Sequence, residues 1–267
     1  MTTRREAPPR GALAGRHAVV TGASRGIGAA VAEALARDGA AVTLMGRDLR
    51  ALGARASALA ARHAVRALPV ACDVADAGAV ARAFDEARAA LGEVQVLVAN
   101  AGESASATLE ATDGALWDRM LAVNLTGAFL CARQVIPGMR AARDGRVVFV
   151  SSTSALKGYP RTAAYAASKA GLLGLARALA AEVARDGVTV NAVCPGYTDT
   201  DMARSAVDAL VRAGRTPEEA RLALERLNPR RALVRPEEVA ATVAWLCAPA
   251  ASAITGQAVA VAAGEVM

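Results

Sequence analysis

The chain has 267 residues, 54% of them hydrophobic and 21% charged, which suits one large α/β domain and excludes a disordered protein. Its net charge of +6 comes from arginines scattered along predicted helices, without a basic block or an aromatic platform, which argues against a nucleic-acid surface. Cys72, Cys131, Cys194 and Cys247 form no CxxC pair and have only His17 and His63 for company, so neither a metal site nor a disulfide framework is expected, and a cytoplasmic setting is.

In chain order, "MTTRREAPPRGALAGR" has no apolar run behind its charges, so no secretory signal is expected and residues 1–15 read as a disordered tail. From residue 16 onward, β-branched runs alternate with Ala/Leu-rich stretches of helical length. The strand candidates are "HAVVTG", "AVTLMG", "VRALPVACDV", "VQVLVANAG", "RVVFVSS", "VTVNAVCPG" and "QAVAVA". Helices are predicted near 27–38, 48–64, 76–91, 113–141, 162–186 and 236–248. This alternation predicts a single Rossmann-type α/β domain over 16–267, a doubly wound parallel sheet of about seven strands with helices on both faces. Residues 199–232 loosen the pattern with two short helices, the second opening at Thr216-Pro217-Glu218-Glu219, and read as a substrate lid. The uncharged stretch 239–264 is long enough to span a bilayer, but Pro249, Ser252, Thr255, Gly256 and Gln257 interrupt it. It reads as a buried helix–turn–strand whose apolar surface also favours a subunit contact.

Two stretches carry chemistry. "VVTGASRGIGAAVAEAL" (19–35) is a strand, a glycine-rich turn and a helix, in which Gly22, Gly26 and Gly28 let backbone amides at a helix N-terminus approach a pyrophosphate. "SSTSALKGYPRTAAYAASKAG" (151–171) holds both lysines of the chain and two of its three tyrosines. Tyr165 and Lys169, at i and i+4, share one helix face. A cation about 4 Å from a phenol offers roughly 4 kcal/mol, or about three pKa units, enough to bring it near working pH. Ser152 follows the apolar strand "RVVFV", at the strand end where such sites lie.

These motifs, in this order, resemble the short-chain dehydrogenase/reductase family across the whole domain. "TGASRGIG" is similar to its cofactor loop, "CDV" (72–74) to its adenine contact and "ANAG" (99–102) to its NNAG turn. "VNLTG" (123–127), "SS" (151–152) and "YAASK" (165–169) are similar to its catalytic motifs, and "PGYTDT" (195–200) to its nicotinamide-side segment. The resemblance implies a catalytic set of Asn124, Ser152, Tyr165 and Lys169. Tyr165 would exchange the proton, Ser152 hold the substrate oxygen, Lys169 lower the phenol pKa and bind the nicotinamide ribose, and Asn124 hold a water that links Lys169 to solvent. It implies cofactor contacts from Gly22, Ser24, Arg25, Gly26, Ile27 and Gly28, and from Arg47, Asp73 and Val74. Asn100, Ala101, Gly102, Pro195, Gly196, Thr198 and Thr200 complete that set with Tyr165 and Lys169. The resemblance also implies a homotetramer, with a dimer as alternative. The chain departs from the family's usual closing VDGG with "VAVAAGE" (259–265), which bears on assembly rather than chemistry.

The second strand ends in Gly46-Arg47 where an NAD enzyme usually has an acid, so NADP is expected, with Arg25 as a second cation. NAD is the alternative, with Asp48 as the ribose acceptor. The substrate wall is expected from 103–107, 153–161, Tyr197 and 201–232; it is mostly small and neutral and suits an acyl or alicyclic ketone. The pattern is similar to 3-oxoacyl-thioester reductases and 3-hydroxyacyl-CoA dehydrogenases. The substrate would then be a small molecule on CoA or acyl-carrier protein, and Arg204, Arg212, Arg215, Arg221 and Arg226 would either meet its phosphates or form a solvated face. A nucleotide-binding sensor without turnover is the alternative of another class.

Overall fold

The near-continuous apolar runs become strands because each must bury both of its faces. A computed structural model describes residues 11–267. The strands are β1 (His17–Thr21), β2 (Ala41–Gly46), β3 (Ala67–Ala71), β4 (Val96–Ala99), β5 (Gly145–Val150), β6 (Val188–Pro195) and β7 (Ala258–Val261). They pair in parallel in the order β3-β2-β1-β4-β5-β6-β7. The order reverses between β1 and β4, which opens a crevice beyond the carboxyl ends of those strands.

The helices are α1 (Gly26–Arg37), α2 (Leu49–His63), α3 (Ala77–Leu91), α4 (Gly114–Leu121), α5 (Gly127–Ala142), α6 (Ala163–Val183), α7 (Asp201–Arg212), α8 (Pro217–Glu225) and α9 (Pro236–Cys247). Val31, Leu52 and Val243 pack α1, α2 and α9 on one sheet face, while Phe84, Met139 and Leu172 pack α3, α5 and α6 on the other. Side chains set several helix starts. Asp48, Asp76 and Asp113 each accept from backbone amides of α2, α3 and α4. Thr216 and Glu219 form the reciprocal cap expected for α8. The helix expected over 113–141 is interrupted by a π-helical turn at Ala122–Thr126, which carries Asn124.

Two expectations need correction. Of the tail expected over 1–15, residues 1–10 lie outside the described residues, but 11–15 belong to the packed domain. Leu13 is fully buried, and its amide donates to the Asp38 carbonyl at 2.9 Å, because the end of α1 leaves an apolar gap that it fills. The stretch 239–264 does form helix, 3₁₀ turn and strand, but its apolar side chains are spent inside this chain. Val239, Val243 and Leu246 are buried and only Trp245 is a large exposed side chain, so the stretch gives no argument for a partner.

Candidate active site

The glycine loop is shaped by close approach. Gly22 and Gly26 have φ of 64° and 56°, a region in which a side chain is strained. A Cβ on Gly28 would lie 2.3 Å from the Gly22 carbonyl oxygen, so α1 can begin this close to β1 only without one. The Asn100 amide donates to the carbonyls of Thr21 (2.9 Å) and Gly22 (3.2 Å), while Thr21 Oγ1 accepts from the amides of Asn100 and Ala101, both at 3.0 Å. The turn after β4 is thereby bolted to the loop after β1. No acid occupies the first turn of α1 and no side chain caps it, which leaves its amides free to meet an anion. Ile27 packs inward on the core, and the Ser24 carbonyl accepts from Arg55 on α2 at 3.3 Å.

At the end of β2, Arg47 is 66% exposed and reaches Glu103 Oε1 at 3.3 Å. The neighbouring Asp48 carboxylate is engaged as the α2 cap, accepting from the Ala51 amide at 3.0 Å. Arg25 pairs with Asp201 at 3.0 Å. Asp73 is exposed on the crevice rim, with its carboxylate accepting from the Ala75 amide, and Val74 is buried against Gly127.

The chemistry end lies beyond β5. Ser152 is buried, accepts from the Ser154 amide at 3.1 Å and shares a hydrogen bond with the Tyr165 phenol. Lys169 is buried, and its Nζ donates to the Val150 carbonyl at 2.9 Å. Gly102 is the seam between the two ends. A Cβ there would lie 2.9 Å from Asn124 Oδ1 and 3.1 Å from Lys169 Nζ.

One expected role changes. Lys169 Nζ sits 6.0 Å from the Tyr165 ring centroid and is aimed at Val150 rather than at the phenol. Burial therefore dominates and pushes the Tyr165 phenol up, with Ser152 opposing, while burial lowers Lys169 to about 8. The Asn124 side chain is held by protein groups. Its oxygen accepts from the Glu103 amide at 2.9 Å, and its nitrogen donates to the Glu103 carbonyl (2.9 Å) and Ser168 Oγ (3.0 Å). Ser168 in turn donates to the Tyr165 carbonyl at 2.7 Å, so Asn124 braces the 103 loop against α6.

Beyond β6, Pro195 closes the strand and Gly196 follows it. Thr198 is buried, donates to the Gly196 carbonyl at 2.9 Å and pairs in an isolated bridge with Val234, whose amide donates to the Tyr197 carbonyl at 2.9 Å and whose carbonyl accepts from the Asp199 amide at 2.8 Å. Thr200 donates to the Thr198 carbonyl at 3.1 Å, and its methyl stands 3.1 Å from where a Gly26 Cβ would be. The excursion of α7 and α8 thus leaves and returns at one point, with Ala203, Leu224 and Leu233 packed beneath it beside Tyr197. Arg204 pairs with Asp199 and Asp201, and Arg221 with Glu225 at 2.7 Å.

Sequence reasoning missed several residues at this site. Arg55 and Arg119, the latter donating to Glu103 Oε2 at 2.7 Å, carry no motif signal, and Thr21 opens TGASRGIG but its hydroxyl's hold on the turn after β4 has no signal of its own. Tyr159 was not missed, since it lies in the wall expected over 153–161, and all three tyrosines of the chain converge here: its ring meets that of Tyr197 edge-on, with centroids 6.4 Å apart.

Comparison with known proteins agrees with this geometry. The short chain dehydrogenase family model matches residues 16–210. The chain is 42% identical over 255 residues to cis-4-hydroxycyclohexanecarboxylate dehydrogenase of Sinomonas cyclohexanicum, covering 95% of this chain and 97% of the relative. It is 39% identical over 241 residues to the 3-oxoacyl-[acyl-carrier-protein] reductase MabA of Mycobacterium bovis, covering 90% and 89%. A crystal structure of a variant actinorhodin polyketide ketoreductase with NADPH superposes with a TM-score of 0.90 at 36% identity, covering 94% and 97%.

Proposed function

The chain belongs to the short-chain dehydrogenase family, oxidoreductases that use a nicotinamide cofactor on carbonyl and CH–OH groups, and from that premise we propose that it reduces 3-oxoacyl thioesters with NADPH. The observation that carries the cofactor choice is the end of β2. An exposed guanidinium stands at Arg47, and both acids beside it are engaged, Asp48 in capping α2 and Glu103 in pairing with Arg47 and Arg119. A 2′-phosphate finds a forked donor there, and a ribose hydroxyl finds no free carboxylate. The solved relative with NADPH supports the same choice.

The residues present fit the dinucleotide. Gly22 and Gly28 let the loop after β1 pack against Asn100, Ala101 and the start of α1 where a Cβ would clash, and the first turn of α1 has neither an acid nor a side-chain cap to compete with a phosphate for its amides. Ser24, Arg25, Ile27, Asp73, Val74, Asn100 and Ala101 would line the adenosine and phosphate side, with Pro195, Gly196, Thr198 and Thr200 on the nicotinamide side. When bound, the cofactor supplies the hydride. Ser152 and Tyr165 hold the substrate oxygen by hydrogen bonds. Burial keeps the Tyr165 phenol protonated at neutral pH, which is the form that can deliver a proton to the alkoxide developing in a reduction. Lys169, lowered to about 8, stays cationic at neutral pH and can give up and regain a proton there, which an arginine cannot. The α7–α8 excursion acts as the lid over the substrate, and Arg212, Arg215 and Arg226, which form no ion pair among the described residues, lie on it where they can meet thioester-carrier phosphates.

A second reading, an NAD-linked dehydrogenase of cyclic alcohols, is favoured by the Tyr159–Tyr197 edge pair, a wall suited to a ring, and by the relative that acts on a cyclohexane acid. Free, buried cysteines fit a reducing cytoplasm, and exposed Trp117 and Phe129 fit a homo-oligomer. The test is nicotinamide oxidation by the purified protein with acetoacetyl-CoA or cyclohexanone, using NADPH and NADH in parallel. Fast turnover of acetoacetyl-CoA with NADPH supports the proposal. NADH preference with the cyclic ketone replaces it by the second reading.

A further inference from the structure

The chain ends by burying a carboxylate under its own substrate wall. After β7, Ala263 and Gly264 turn with φ of 50° and 86°, closed by the Glu265 amide donating to the Ala262 carbonyl at 3.0 Å. An alanine in the left-handed region is strained, so something beyond the turn must hold it. That anchor is Glu265, whose side chain is 0% exposed. Its Oε1 accepts from the Tyr159 hydroxyl and lies 3.6 Å from Lys157 Nζ, which also donates to the Glu265 carbonyl at 3.1 Å. Its Oε2 has no partner and lies 2.5 Å from where a Gly196 Cβ would be, so only glycine at 196 leaves room for it.

An apolar side chain would close this end of the fold without leaving a carboxylate oxygen unpaired, a cost that calls for an explanation. The explanation lies in what Tyr159 touches. Its single proton goes to Glu265, so the Thr153 hydroxyl, 3.0 Å away and next to Ser152 in the chain, donates to it. Its ring edge meets Tyr197, and Lys157 stands over its face at 4.9 Å. We infer that Glu265 is a positioning residue for substrate: by locking the Tyr159 phenol it fixes a wall of Tyr159, Tyr197 and Lys157 beside Ser152 and Tyr165. The inference goes beyond the reaction proposed above and rests on it only for the kinetic assay.

The test compares Glu265→Ala, Glu265→Gln, Tyr159→Phe and the Tyr159→Phe/Glu265→Ala double variant. The measurements are KM and kcat for the ketone the wild type reduces, the Kd of NADPH, and the tyrosinate ultraviolet titration. Glu265→Ala and Tyr159→Phe should each raise KM about tenfold with kcat within about twofold and Kd unchanged. The double variant should be no worse than either single one, because both remove the same contact. Glu265→Gln keeps an acceptor for Tyr159, so its KM should stay within about threefold of wild type. An unchanged KM in both single variants, additive effects in the double one, or parallel loss of kcat, KM and cofactor affinity would each overturn the inference. If the wild type reduces no ketone offered, the reaction reading fails and the titration decides alone. Glu265, Lys157, Thr153 and Tyr197 surround the Tyr159 phenol, and the Glu265 charge and hydrogen bond help hold it above its ordinary range, after burial. One phenol should therefore titrate at lower pH in Glu265→Gln than in wild type, and identical curves would refute the lock.

Discussion

Raising the pH from about 7 to about 10.5 should stabilise the cofactor-free wild type relative to a Lys169→Met variant by about 3 kcal/mol. Burial lowers Lys169 from 10.5 to about 8 in the folded chain, with only a small opposing pull from Cys194. Between those two values the unfolded chain binds more protons than the folded one, so stability from this group rises with pH. Below about 8 both states are protonated and the folded protein carries the full cost of a buried ammonium. The shift of roughly 2.5 units, at about 1.4 kcal/mol per unit, sets the size of the effect. Methionine keeps the length of the side chain without the charge, and every other titrating group is common to both proteins. Losing the donor to the Val150 carbonyl adds an offset that does not depend on pH. Urea midpoints measured at several pH values provide the assay. Parallel stability curves for the two proteins would refute the reasoning.

Arg47→Ala should weaken NADPH binding by about tenfold or more, the value of a charge-assisted contact, while the Kd of NADH stays the same; equal losses for both would move the 2′-phosphate elsewhere. Asn124→Ala should lower stability by ~2–4 kcal/mol in urea denaturation, since it orphans the partly buried amide and carbonyl of Glu103 and strips the buried Ser168 of a donor. Gly28→Ala forces a Cβ to within 2.3 Å of the Gly22 carbonyl, and a titration should show cofactor affinity falling by at least about tenfold as the loop shifts.

The fold was readable because each strand is a short apolar run and several helices carry their own start signal, as at Asp48 and Thr216. Boundaries slipped where the chain leaves the sheet to do something else. Residues 72–74 read as strand but lie beyond β3 on the crevice rim. Leu13 read as tail because one apolar residue among glycines has no period to betray its burial. The candidate quartet was readable as spacing, and the structure brings Ser152, Tyr165, Lys169 and Asn124 together. Their electrostatics were not, because the i, i+4 geometry says nothing of where an ammonium points once a carbonyl such as Val150 competes for it. The Tyr159–Glu265 contact joins positions 106 residues apart, in a segment where the chain departs from its family, and no local pattern could report it.

The most direct test of the account is Tyr165→Phe with NADPH and the best ketone. NADPH should bind as it does to wild type, while ketone-dependent oxidation falls by about a thousandfold or more, the loss expected for removing a general acid. A variant that kept its cofactor affinity and more than about a tenth of wild-type turnover would contradict proton delivery from Tyr165 and, with it, the proposed chemistry of this site.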